Sequence, residues 1–215
     1  MKGWLLDFLY PPRCAFCHRL LRTRTGLWIC PACRETIPLP GAGEQRRDVR
    51  HTELVVAPFH YEGLVRESLL RYKFAGLTAY AGVYADFLAK CIDENQISCD
   101  SITWVPLSRR RQRQRGYDQA RILAEELAKR LGLPCERLLV KRRHTRPQSG
   151  ISNRARREAN AAGVYAVLDP AHVEGKRILL VDDIVTTGAT LSSAAGVLAE
   201  AGAAAVYGAA AASRS

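Results

Sequence analysis

The sequence predicts an α/β protein, with a mostly parallel sheet flanked by helices and a small cysteine-rich module in front of it. Three observations carry this expectation. Apolar runs of strand length alternate with stretches of helical periodicity from residue 51 onward. Two Cys-x-x-Cys pairs stand close together near the start. Late in the chain, "RILLVDDIVTTGAT" (177–190) runs a buried-type strand into two adjacent acids and then into a Thr- and Gly-rich turn.

Composition sets the bounds. The 215 residues suit one ordinary α/β domain with a small appendage, and 47% hydrophobic with 25% charged residues is the balance of a globular protein. Lys+Arg 32 against Asp+Glu 21 leaves a net charge of +11, which favours anionic partners. "MKGWLLDFLYPP" is apolar, but Asp7 interrupts it, Pro11 and Pro12 end it, and no small-residue cleavage site follows. No stretch reaches the roughly 20 apolar residues of a membrane helix. A cytoplasmic location without membrane insertion is the expectation.

Seven cysteines in such a compartment are not read as disulfides. Cys14 and Cys17, then Cys30 and Cys33, have the spacing of a zinc ribbon, in which four thiolates complete a tetrahedron. A redox pair would need only one such motif beside a βαβ unit. His18 is adjacent, but four ligands already fill the site, so a surface position is expected. Cys91, Cys99 and Cys135 stand singly and read as small core residues. The Pro-, Gly- and charge-rich stretch near 37–52 reads as a linker, which divides the chain into a zinc-ribbon module with linker (1–50) and a larger domain (51–215). On that division, Cys30→Ser is expected to unfold the module and spare the larger core.

In the larger domain, "ELVVAPFHY" reads as a strand and "GLVRESLLRYKFAG" and "AYAGVYADFLAKCIDE" as amphipathic helices, burying Leu69, Leu70, Tyr72, Phe87 and Leu88. "SITWVPL" is a short strand. "YDQARILAEELAKRLGL" is the clearest helix, with Ala120, Leu123, Leu127 and Leu131 in phase and Gly132 and Pro134 to stop it. "RLLVKRR" and "AGVYAVL" are strand candidates. They are followed by the "KRILLVDD" strand, the "GATLSSAAGVLAEAGA" helix and a last strand, "AAVYGAAAA".

Ligands of such sheets sit beyond the carboxyl ends of the strands. Asp182 and Asp183 lie there, and Thr186, Thr187, Gly188, Ala189 and Thr190 form the turn into the next helix. The turn offers backbone N–H groups, a helix N-terminus and hydroxyls to a phosphate, while Gly188 allows close backbone approach. The acids suit the neighbouring hydroxyls of a ribose and the charge of a cationic sugar transition state. A Walker B strand is excluded by the lack of any G-x-x-x-x-G-K-[ST]. The pocket of a receiver domain would place its acids at the first strand, and acids merely ending a strand would leave the turn unexplained.

"ILLVDDIVTTGAT" resembles the signature for phosphoribosyl pyrophosphate (PRPP) of type I phosphoribosyltransferases. The resemblance implies that fold. It also implies that Asp182 and Asp183 are the diol ligands and catalytic residues, that Thr186 through Thr190 hold the 5′-phosphate, and that Mg²⁺ accompanies PRPP. "YPPRCAFC", "CPAC", "RYKFAG", "VPLSRRRQRQRGYDQA" and "RPQSGISNRARREANAAGVYAV" follow in an order similar to the ComF family, which includes competence proteins. That family implies a zinc module on a phosphoribosyltransferase fold and a role in natural transformation, with single-stranded DNA and other competence proteins as candidate partners. Catalytic transfer from PRPP to an unknown acceptor is the alternative. "SRRRQRQRG" stands where the family has its pyrophosphate loop, making Arg109 and Arg115 candidate PRPP contacts. "KRRHTRPQSGISNRARRE" stands where a closing loop is expected. Both stretches equally suit a nucleic-acid backbone.

Overall fold

The computed structural model describes residues 11–21, 28–37, 45–142 and 163–214. Its centre is a five-stranded sheet built from β1 (Arg46–Arg47), β2 (Leu54–Val56), β3 (Ser101–Trp104), β6 (Arg177–Val185) and β7 (Ala205–Ser213), in the order β1-β2-β7-β6-β3. Every pairing is parallel except that of β1 with β2. β6 and β7 form the spine, in register from Arg177 against Ala205 to Val185 against Ser213. Alternation along β6 separates two cores: Leu179 and Val181 face one, Ile178 and Leu180 the other. Gly208 on β7 faces Val55 of β2 so closely that a Cβ there would stand 2.7 Å from Val55 Cγ2.

Helices α2 (Gly63–Phe74), α3 (Tyr80–Glu94) and α5 (Gln119–Leu131) bury Leu69, Tyr72, Tyr84, Leu88, Leu123 and Leu127 in the first core. Leu70, Phe87 and Leu131 are only half-buried. Helix α6 (Ala189–Glu200) closes the second core with Leu191, Ala194, Ala195 and Leu198. Helix α5 is capped by the Asp118 side chain, which accepts from Arg121 N, and ends at Gly132 in the left-handed region.

Three expectations are revised. β4 (Leu139–Lys141) and β5 (Tyr165–Val167) form strands, but they pair antiparallel with each other as a separate two-stranded sheet. The arginine-rich stretch expected as a loop is a short helix, α4 (Arg109–Arg115), because Ser108 Oγ accepts from Arg111 N and Gly116 takes φ 81° at its end. The expected linker, over its described part, belongs to the larger sheet: β1 sits on its edge, and Arg47 donates to the Ser213 hydroxyl and the Arg214 carbonyl.

The described N-terminal residues Cys14, Ala15, Phe16, Ile29 and Cys33 share the first core. Phe16 meets Phe59 and Tyr84 edge-on at 5.4 and 6.1 Å. From α2, Ser68 donates to the Ala15 carbonyl at 2.5 Å and Arg71 donates to that of Phe16.

Candidate ligand site and cysteine centre

The Sγ atoms of Cys14, Cys17, Cys30 and Cys33 lie within 4.8 Å of one another, with Cys17 and Cys30 at 3.6 Å. A Zn–S bond of about 2.3 Å sets a tetrahedral S···S edge near 3.8 Å, so the cluster fits zinc. The second pair is presented by α1 (Pro31–Thr36), with Cys30 as its N-cap and proline starting the helix. The first pair occupies a turn in which Cys14 Sγ accepts from Cys30 N at 3.4 Å. Burial raises the Cys14 pKa more than any other single influence, yet N–H donors from Cys30, Cys17 and Phe16 together bring it down to about 7. Burial and the neighbouring sulfurs push Cys33 the opposite way. The thiolate form is thus favoured at Cys14, and a bound cation would offset the opposite push on Cys17 and Cys33. His18 is not a ligand. It is half-buried rather than on the surface, with Nδ1 2.8 Å from the Tyr80 hydroxyl. Cys91 is buried as expected, whereas Cys99 and Cys135 are only partly so.

Asp182 and Asp183 fall near the end of β6, partly buried, and face different neighbours. Asp183 Oδ1 lies 2.9 Å from Lys73 Nζ at the end of α2. Asp182 Oδ1 accepts from Asp183 N at 2.8 Å, and its charge acts on Lys141 and Tyr165 of the β4–β5 hairpin. Burial first, and Asp183 second, push the Asp182 carboxyl up to about 8. Ionising both carboxyls at once is therefore costly.

The turn follows without a break. Thr186, Thr187, Ala189 and Thr190 are exposed, and Gly188 sits buried at φ 73° as the N-cap of α6. A Cβ on Gly188 would come 2.8 Å from Val49 Cγ2, so both conformation and contact require glycine. Thr187 Oγ1 accepts from Ala189 N at 3.4 Å.

The two candidate arginines diverge. Arg109 lines a cavity of about 170 Å³ with Trp104, Leu107, Asp118, Arg137 and Lys141. Arg115 donates to Gln119 Oε1 at 2.9 Å and lies over the Phe74 ring. Residues 143–162, which hold most of the second basic stretch, lie outside the described residues.

Two residues were missed in the sequence. Buried Asp118 accepts from Leu107 N at 3.1 Å and Arg121 N at 3.3 Å, fastening the segment after β3 to the start of α5. Burial chiefly raises its pKa, and nearby Asp183 adds to the rise. An acid directly before a helical pattern was its signal. Lys73 carried only the weaker signal of a cation in a helix's last turn.

A double zinc ribbon domain model matches residues 5–43 and a phosphoribosyl transferase domain model matches residues 118–214. Competence protein F of Haemophilus influenzae is 36% identical over 104 residues, which is 48% of this chain and 45% of that protein. Competence protein ComFC of Bacillus subtilis is 28% identical over 94% of this chain and 85% of its own length. DNA utilization protein YhgH of Salmonella typhimurium is 29% identical over 90% and 86% respectively. Among solved structures, the glutamine PRPP amidotransferase of B. subtilis aligns with a TM-score of 0.48 at 24% identity, over 66% of this chain and 30% of that one, a partial likeness. Two domain models in this order, and competence and DNA-utilization proteins similar along most of the chain, lead to one conclusion: the chain belongs to the ComF family.

Proposed function

We propose that this chain acts in the cytoplasm in competence and DNA utilization, binding PRPP with Mg²⁺ at the end of β6 and single-stranded DNA on the arginines of α4. The observation that supports the PRPP reading best is the continuity of Asp182 and Asp183 into the exposed Thr186–Thr190 turn at the head of α6. In this reading the two carboxylates accept from the ribose hydroxyls, and the turn's N–H groups and hydroxyls donate to the 5′-phosphate. Arg109, beside the cavity, takes the pyrophosphate, since Arg115 is engaged by Phe74 and Gln119. The carboxylate oxygens of Asp182 and Asp183 suit a hard cation. Mg²⁺ there supplies the charge that lets carboxylates and pyrophosphate share one site. The names of the relatives support the DNA half of the reading, as does a helix with four exposed arginines, Arg109, Arg110, Arg111 and Arg113.

Calorimetric titration of PRPP with Mg²⁺ tests the site. Replacing both Asp182 and Asp183 with Asn removes charge-assisted hydrogen bonds of roughly 1.5–3 kcal/mol each, so binding should weaken more than tenfold. Equal affinity of the two proteins would reject the assignment. A transferase reading draws on the same cavity, where Arg109, Arg121, Arg137 and Lys141 supply charge to receive a leaving pyrophosphate. Pyrophosphate release from PRPP in the presence of candidate bases or DNA reads that activity directly.

A further inference from the structure

We infer that Phe74, backed by Arg115, is a stacking platform for an unpaired nucleobase, delivered by a single nucleic-acid strand running along α4. The inference rests on the single-stranded DNA half of the reading above and names where a base of that strand sits. Phe74 ends α2 and is 65% exposed. Among the described residues it is the most exposed large hydrophobic side chain, and no other aromatic shares that exposure.

The chain holds the ring out instead of letting it collapse. Before it, Lys73 is tied to Asp183 at 2.9 Å. After it, Gly76 turns at φ 71°, and its N–H donates to the Tyr117 hydroxyl at 3.2 Å. That hydroxyl donates in turn to the Tyr72 carbonyl, so one tyrosine pins the backbone on both sides of Phe74. The Arg115 guanidinium lies 4.8 Å from the ring centroid and is oriented by Gln119 Oε1. One face of the ring therefore carries a cation, and the exposure leaves the other face open.

A base laid on the open face would complete a guanidinium–ring–base stack. A phenyl ring has no donor or acceptor to read a base edge, so such a platform takes any base. The "RRRQRQR" of α4 contains no acid and ends at Arg115 itself. Charge for the phosphates thus runs up to the ring, and a lone exposed aromatic framed by cations fits a polyanion with π-faces better than an apolar protein surface.

The test compares the full chain with Phe74→Ala and Phe74→Trp, by fluorescence anisotropy on labelled oligothymidine and on an abasic strand of equal length. Phe74→Ala should weaken oligothymidine binding about five- to hundred-fold, the cost of losing one stacked base, and leave the abasic strand unchanged. Phe74→Trp should keep the affinity, and its added indole emission should be quenched by oligothymidine but not by the abasic strand. Equal loss on both strands, or no loss on either, overturns the platform while leaving the DNA reading in place. A wild-type chain that binds neither strand overturns both. Quenching of Phe74→Trp by free thymidine but not by the oligonucleotide would assign the ring to a free base and overturn the strand.

Discussion

Burial and the neighbouring Asp183 push the Asp182 carboxyl up to about 8, against an ordinary value of 3.8, even though Lys73 partly opposes the rise. Folding therefore favours the protonated side chain. That stabilisation is complete below about pH 4 and is lost as pH rises through about 8. Without PRPP or divalent cations, Asp182→Asn should melt a few degrees above the wild type at pH 9, with the gap closing at pH 5. Thermal denaturation at the two pH values checks this, and a difference independent of pH would count against it. The same environment gives a ligand its purchase, because a cation or a pair of hydroxyl donors would supply the partner that the ionised Asp182 carboxyl otherwise lacks.

At the scale of elements, α2 joins the cysteine cluster to the acids. Ser68 and Arg71 hold the backbone carbonyls of Ala15 and Phe16, and Lys73, two residues on, reaches Asp183. Phe16 packs in the first core with Phe59 and Tyr84, so among the described residues the module has no core separate from that of the larger domain. Structural zinc contributes roughly 10–16 kcal/mol of apparent binding energy in small modules. Cys30→Ser should therefore remove zinc and also lower the melting temperature of the whole chain in one cooperative transition. This differs from the expectation drawn from sequence spacing alone. Scanning calorimetry with metal analysis decides between them: an unchanged main transition would mean that the module unfolds independently.

Over the whole molecule, the net charge of +11 has a local expression in α4. Replacing Arg110, Arg111 and Arg113 with Ala should reduce the log–log salt slope for single-stranded DNA by about 2, at about 0.7 per phosphate. PRPP should compete partially with the strand, since Arg109 lies on the same helix as those three arginines. Filter binding across a salt series reads both effects, and an unaltered slope would remove α4 from the DNA path. The parallel sheet was legible because β6 is an unbroken apolar run and the buried faces of α3 and α5 repeat at helical spacing. The acid pair and its turn were legible because chemistry and local backbone coincide in one continuous segment. The hairpin of β4 and β5 was not, since periodicity identifies a strand without naming its partner. Lys73 and Phe74 escaped for a related reason: their roles depend on Asp183 and Arg115, which only folding brings near. The bracing by α2 also has a thermodynamic side. A helix that touches the cysteine turn at Ser68 and Arg71 and the acid pair at Lys73 gives any binding at the two places one shared element. By reciprocity, any factor by which zinc strengthens the hold on a ligand at Asp183 is the factor by which that ligand would strengthen the hold on zinc at equilibrium, so the chelator needed to strip the metal should rise when the acid site is occupied.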